Sequence, residues 1–265
     1  MEWKNVRKWL LLMLLVVDLF LAGNLVRQVY DNRQTERQAV LDAVAVAARR
    51  GFALEEEAVL RLPVEPDAYS ASRSDSLEPA AADALLGKGS LLEGPGGGVS
   101  IYRGETGQLS FRRGGALELD MPWTAGSFDG VTCAGLLAPA GLDVENALLE
   151  SLGDTVILTQ RYEDVAIVNS RLTCSVQDGA LQARGRWLLA QELTAAGGSM
   201  SRAQLVLSLC ALLEDREAGS PDGLEMGYYL QSEDAQSLAL VPVWVVRLGE
   251  EQLLMSCVTG QELVF

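Results

Sequence analysis

The first 26 positions set the pattern of the chain. Residues 9–26 are apolar apart from Asp18 and Asn24, and Lys4, Arg7 and Lys8 stand just before them. As a helix, 18 residues reach about 27 Å, close to the thickness of a bilayer's hydrocarbon core. Trp3 and Trp9 suit the headgroup belt. Basic residues before the run, with no comparable block just after it, place the N-terminus in the cytoplasm. The alternative is a cleaved signal peptide. Cleavage needs small residues at two positions one apart, and Phe20-Leu21-Ala22-Gly23-Asn24 puts bulky Leu21 at one of them. The expectation is therefore a retained anchor: residues 1–8 a cytoplasmic tail, residues 9–26 a single transmembrane helix, and the bulk of the chain extracytoplasmic.

Within the span, Leu11, Leu15, Asp18, Ala22 and Leu25 step by four, three, four and three. That spacing keeps them on one helix face, as in a coiled-coil seam. An acidic residue near mid-membrane costs about 2.5–3.5 kcal/mol on insertion scales. A carboxyl group on the same stripe as small Ala22 suits packing against a partner helix. The five residues are the candidate partner-binding face. The plainer alternative is a protonated Asp18 that the other 17 residues carry as a passenger.

Beyond the span the periods change. Residues 32–50 read as a helix with Val40, Ala43, Val44 and Ala47 on one stripe and Gly51 at its end, continuing the membrane helix as a stalk. Residues 52–62 read as a short acidic helix start or, by preference, as a turn and then a strand ending at Pro63, and 63–79 as a polar loop. A short helix is expected over 80–86. The glycine-rich stretch at 94–98 lacks both the G-K-[ST] ending and the dinucleotide spacing, so it reads as a loop before a strand. Residues 99–103 and 108–112 form a hairpin, and 116–121 alternate as a third strand. Residues 122–141, with four glycines and two prolines, are the best internal boundary. After it, Asp143 heads a predicted helix to Leu152. Strands follow over 155–162, 165–176 and 180–189, the last two joined by Asp178-Gly179, a strong hairpin signal. Ser201 caps a helix to about 217 with Leu205, Leu209, Leu212 and Leu213 on one face. Strands over 224–231, 238–248 and 252–258 close the chain. A helix followed by three strands thus occurs twice, with a weaker version over 32–121. The pattern implies an α+β fold of antiparallel β-sheets with helices packed on one face.

Composition removes several chemistries. The net charge is −15, and because residues 1–26 carry three positive and two negative charges, the remainder carries −16. Nucleic acid and broad docking on anionic surfaces are disfavoured. The chain has no histidine, so the commonest general base and metal ligand are both missing. Lys88 is the one lysine beyond the span, between two glycines and without a motif for a Ser–Lys pair. Carboxylates are too plentiful to single out a catalytic pair. Trp123, Trp187 and Trp244 are expected in the core rather than as sugar-stacking platforms, with Trp244 against the last helix. Cys133, Cys174, Cys210 and Cys257 are 41, 36 and 47 positions apart and make no C-x-x-C motif. Their even number permits disulfides, but each lies in an apolar stretch, and reduced, buried thiols are the expectation. No catalytic residue, cofactor or metal is expected, and the chain does not read as an enzyme.

Three stretches carry a resemblance. Val241-Pro-Val-Trp-Val-Val-Arg-Leu248, followed after a turn by Ser256-Cys-Val-Thr-Gly-Gln261, resembles the ending of PepSY-like modules. In those modules a P-x-W strand pairs with a strand closing on a Thr-Gly-Glu turn; here the turn is Thr259-Gly260-Gln261. The stretch from Tyr162 to Gly179 resembles the paired central strands of the YycI regulators. Met1-Glu-Trp-Lys4, ahead of an anchor containing Asp18-Leu-Phe-Leu21, is similar to the start of that family. Across nearly its whole length the chain resembles the YycI/YycH accessory regulators of an essential cell-wall sensor histidine kinase in Gram-positive bacteria. The resemblance implies PepSY-like repeats outside the membrane, with an N-terminal α/β domain over 27–125 and a C-terminal PepSY-like α+β domain over 126–265. It also implies two partners, a membrane sensor histidine kinase and a sister YycH-type protein, and a role in cell-wall signal transduction. The alternative is a PepSY-like inhibitory module of a secreted hydrolase, or a cell-wall-binding protein.

Overall fold

One helix, α1 (Trp3–Arg49), runs 47 residues from the start of the chain into the folded body. The computed structural model describes residues 3–72, 76–124, 126–189, 192–232 and 237–264, and gives 3–12, 16, 23–26, 29, 30, 32, 95 and 96 by backbone alone. Gly51 ends α1 from the left-handed region, at φ +95°. Its N–H donates to the Ala48 carbonyl at 3.1 Å and the Phe52 N–H donates to Ala47 at 3.0 Å, the paired bonds of a glycine C-cap. The predicted stalk is thus the last third of a longer helix.

Next comes α2 (Glu56–Arg61), the acidic helix that the sequence leaves as the alternative to the preferred strand. Three glutamates head this segment, and carboxylates favour the positive end of a helix. Arg61 reaches back one turn to Glu57 at 2.9 Å. The expected loop over 63–79 holds a strand, β1 (Ala68–Ser72), hidden in sequence by its small and polar residues. Helix α3 (Leu77–Leu86) matches the predicted helix and begins three residues earlier. The glycine-rich loop is also a strand: β2 (Leu91–Gly96) pairs with β3 (Val99–Gly104) through an irregular register between Glu93 and Gly96. β4 (Gly107–Arg112) and β5 (Ala116–Pro122) follow as predicted.

The expected boundary over 122–141 contains α4 (Gly130–Leu137), which buries Cys133 and Leu137. The helix predicted over 143–152 is absent. Its second half is β6 (Leu148–Leu152), hydrogen-bonded to β7 (Thr155–Tyr162) around Gly153-Asp154. Leu148, Leu149 and Leu152 have helical spacing, but the open edge of β7 takes up this backbone and all five β6 residues stay exposed. β8 (Val165–Gln177) and β9 (Ala180–Arg186) turn through Asp178 and Gly179 at φ +52° and +75°, as a two-residue hairpin requires. β10 (Thr194–Gly197) precedes α5 (Arg202–Asp215), where Ser201 and Gln204 form a reciprocal capping box. β11 (Gly223–Ser232), β12 (Ser237–Leu248), β13 (Glu251–Ser256) and the short β14 (Glu262–Leu263) complete the chain.

The strands join in the order β10-β1-β12-β11-β8-β9-β5-β4-β3-β2, with β13 and β14 extending from β12 and β7 and β6 from β8. Among the described residues every pairing is antiparallel except one, where β11 meets β8 in parallel at Tyr228 and Ile167. Strand pairing crosses the expected seam at 125/126, since β5 pairs with β9 over seven residues. β12 changes neighbour along one edge: residues 237–240 pair with β1 and 243–248 with β13. Pro242 sits at the change. Its carbonyl accepts from the Cys257 N–H at 2.8 Å. Carbonyl and nitrogen of one strand residue face the same edge, so the missing N–H falls at the gap between β1 and β13, where no ladder bond is lost.

Two large apolar clusters organise the packing. One lies between α3, α4 and the β3–β9 strands and contains Leu109, Leu119, Leu158, Leu172 and Trp187. The other lies between α1, α2, α5 and one face of β12 and β13, around Trp244, Val246 and Met255. Trp187 and Trp244 are 2% and 1% exposed, so both are core residues, and Trp244 packs in the cluster with α5.

Candidate partner-binding site

At about 100° per residue, positions 11, 15, 18, 22 and 25 of α1 fall within about 80° of arc, so the helix does present them on one side. Leu15, Asp18 and Ala22 are exposed; the side chains of Leu11 and Leu25 lie outside the described residues. Asp18 has no ion-pair partner among the described residues. Met13 and Phe20, on other sides of the helix, are 71% and 68% exposed. Among the described residues this stretch of α1 therefore exposes apolar side chains on more than one side, unlike a one-faced surface helix. Among the described residues no helix is long and apolar enough to cross a membrane; of the expected span, residues 9–12, 16 and 23–26 are described by backbone alone.

The far end of α1 is clamped. Val40, Ala43 and Ala47 are buried against Leu205 and Leu209 of α5. Beside them Arg202 is 7% exposed. Its Nε and Nη2 donate to Glu36 Oε1 at 2.7 and 2.6 Å, and its Nη1 donates to the carbonyls of Leu60 and Leu62 at 2.7 and 3.0 Å. One guanidinium thus ties α1, α5 and the end of α2 together. Arg50 and Glu214 form a looser, exposed pair at the other end of the interface, at 3.5 Å. Sequence reasoning missed Arg202. Its signal was present: a cation directly after an N-cap stands at the positive end of a helix dipole, where a buried partner is needed to hold it. With one end clamped and no break along its 47 residues, about 70 Å of helix is able to carry a rotation or tilt into the body.

The joint between the two halves of the sheet is held by side chains. Asn169 replaces missing ladder bonds: its Oδ1 accepts from the Leu230 N–H at 2.8 Å and its Nδ2 donates to the Leu230 carbonyl at 2.9 Å. Buried Gln160 accepts from the Ser170 hydroxyl and the Leu188 N–H and donates to the Leu188 carbonyl. Gly227 allows the close approach, because a Cβ there would stand 2.8 Å from Val168 Cγ1. Tyr69, Tyr162 and Tyr228 meet edge to face beside the joint, with ring centroids 5.0, 5.7 and 6.1 Å apart. Burial, then hydrogen bonding to Tyr69, pushes the Tyr162 phenol up to about 12. Burial raises Tyr228 as well, ahead of the charges of Tyr69 and Glu163. Tyr162 and Ile167 also line an open cavity of about 280 Å³, together with Arg161, Asp143, Leu188 and Leu193.

Elsewhere two sheet edges are apolar among the described residues, that of β2, where Leu91 and Leu92 are 73% and 59% exposed, and that of β6. β6 leaves one side unpaired, with Leu149 and Leu152 at 43% and 64% exposure, and Val131 of α4 is 82% exposed. Lys88 lies exposed in the turn after α3. Among the described residues no group of three or more Cys, Asp or Glu is arranged to hold a metal ion. The four cysteines are free and buried. Trp123 is half-buried, edge-on to Phe128 at 5.5 Å, and donates to the Gly126 carbonyl.

No family model matches the chain, and no curated protein matches it. Solved structures do. An uncharacterized protein from Eubacterium rectale aligns over 76% of this chain and 86% of its own, at 12% identity and a TM-score of 0.40. YycH from Bacillus subtilis aligns over 74% of this chain at 10% identity and a TM-score of 0.40; the chain spans 54% of that structure. The C-terminal domain of YpeB from Bacillus megaterium aligns over 72% of this chain and 96% of its own, at 10% identity and a TM-score of 0.34.

Proposed function

We propose that the chain is a membrane-anchored, non-enzymatic accessory regulator of a membrane sensor histidine kinase. Residues 9–26 cross the membrane with the N-terminus in the cytoplasm, and the rest lies outside. The face of Leu11, Leu15, Asp18, Ala22 and Leu25 packs on a helix of the kinase, while the exterior body meets a sister protein of the YycH type. The observation that carries this reading is the continuity of α1: one unbroken helix runs from the apolar segment with its single acidic residue into the Arg202–Glu36 clamp. A bound regulator shifts a kinase between states only through contacts that differ between them. A helix fixed to a large body is suited to do that, because movement of the body becomes movement of the packing face.

The test is a crosslinking yield between full-length proteins in membranes. Polar contacts between membrane helices are worth roughly 0.6 kcal/mol, and up to about 1.7. Asp18→Leu is expected to weaken association without abolishing it, and to improve insertion. Leu12→Ala, off the face, is the control. An unchanged yield and kinase output at equal protein level would make Asp18 a passenger and the helix a tether.

The exposed apolar edge at β6 favours a second reading, an exterior module that inhibits a secreted hydrolase or binds the cell wall. A fragment of residues 33–265 that inhibits a hydrolase or sediments with purified wall would decide for it.

A further inference from the structure

β6 ends one branch of the sheet. It pairs with β7 alone, and among the described residues no backbone hydrogen bond reaches its outer side. The two-residue turn Gly153-Asp154 makes Leu152 and Thr155 a hydrogen-bonded pair, and alternation makes Glu150–Ile157 and Leu148–Thr159 the next ones. The N–H and C=O groups of Leu149 and Ser151 therefore face outward. Native proteins blunt such edges with lysine, proline or a bulge. β6 has none of these, and its register with β7 is unbroken. The edge of β2 differs: its register with β3 breaks between Glu93 and Gly96, and Glu93 is paired with Arg103 at 3.6 Å. We propose that β6 is a docking edge that takes one antiparallel strand, apolar and basic, from a partner protein. The inference deepens the exterior contact of the proposed function and rests on that reading for its setting outside the membrane.

Shape and charge define the occupant. Leu149 lies against α4, since a Cβ at Gly130 would stand 2.2 Å from its Cδ2, and Val131, next along α4, is exposed. An added strand meets this apolar shelf on one face and exposed Leu148 and Leu152 on the other. No lysine or arginine occurs between Arg113 and Arg161. In α4, β6 and the turns around them Asp129, Asp143, Glu145, Glu150 and Asp154 are all exposed. Glu150 stands between Leu148 and Leu152 on one face of β6, so a cation opposite it with apolar neighbours on either side completes the pattern. A second copy of this chain brings the same carboxylates and no cation from this region, and like charges across a strand pair repel. Main-chain bonds at Leu149 and Ser151 supply affinity, and the side chains supply the choice of strand.

The test uses the full-length chain in detergent and two blocked peptides. Arg-Ile-Thr-Lys-Val-Ile-Arg sets its lysine opposite Glu150 when its threonine is opposite Ser151, and Glu-Ile-Thr-Glu-Val-Ile-Glu is the acidic counterpart. Binding is titrated, and amide hydrogen exchange is followed residue by residue. The basic peptide is expected to bind about tenfold more tightly than the acidic one. It should slow exchange at the Leu149 and Ser151 amides and leave α5 unchanged. Ser151→Pro is expected to abolish binding: the Ser151 N–H faces outward, so proline blocks the new pairing and keeps the β6–β7 ladder. Glu150→Lys, at an exposed position, is expected to reverse the preference between the peptides. No shielding by the basic peptide, equal binding of the two, or shielding that survives Ser151→Pro would overturn the proposal. So would shielding produced by raising the protein concentration alone, the mark of a second copy, or by purified wall fragments in place of the peptide. The assay contains no kinase, so a missing helix-face crosslink overturns the membrane reading without altering the result at β6.

Discussion

Removing Glu36 would leave the Arg202 guanidinium, 7% exposed, with two carbonyls and no counter-charge. Breaking a buried ion pair by deleting one partner is costly, and Glu36→Ala is expected to lower stability by about 3 kcal/mol. Arg202→Met should cost less, because the Glu36 side chain is 24% exposed and water reaches it once the arginine is gone. Urea unfolding of the full chain, followed by tryptophan fluorescence, checks the order; equal losses would mean that shape and not charge sets the effect. The tyrosines give a pH signature. A phenol with a raised folded pKa contributes stability that is whole below its unfolded value near about 10 and is lost as pH rises through the folded value. For Tyr162 that window runs from about 10 up to about 12. Stability should fall across it, and Tyr162→Phe should flatten the fall. A decline unchanged by the substitution would place its origin in other groups.

At the scale of elements, the strands that the sequence predicts are those with strong local signals. Asp178-Gly179 sets the β8–β9 turn, Gly249-Glu250 the β12–β13 turn, and alternation marks β3, β4 and β5. β1, β10 and β14 carry no such pattern. Tyr-Ser-Ala-Ser in β1 is a strand because β12 offers it a partner edge over residues 237–240. β6 shows the converse, a helically spaced segment taken by a neighbouring edge. The parallel contact of β11 with β8 depends on Gly227, and Gly227→Val is expected to cost about 2 kcal/mol by overpacking against Val168. Hydrogen exchange should then speed up at the Leu230 amide, which Asn169 caps, while α5 stays protected. Equal loss of protection in both would mean that the two halves of the sheet unfold together.

For the whole molecule the question is whether α1 is a tether or a lever. Inserting Gly-Pro after Arg33 would break the helix between the proposed membrane face and the clamp at Glu36, since proline removes a helical donor and clashes with the preceding turn. The expected outcome is retained crosslinking to the kinase through the helix face, with loss of regulation of kinase output. Loss of neither would make the connection a flexible tether, and the exterior body would then act on its own.

The candidate face on α1 needs no tertiary information. Leu11, Leu15, Asp18, Ala22 and Leu25 share a side by helix geometry alone, and the apolar run with its basic flank is a local property of the chain. The α+β class, the antiparallel hairpins, the capping box at Ser201 and the burial of Trp187 and Trp244 are likewise carried by short-range patterns. The Arg202–Glu36 clamp and the Asn169 joint are not. Their partners lie 166 and 61 positions apart, and no local period links a polar residue to a partner that another element brings to it. The edge strands belong with them, because an unpaired edge of the sheet decides the state of segments whose own preference is weak.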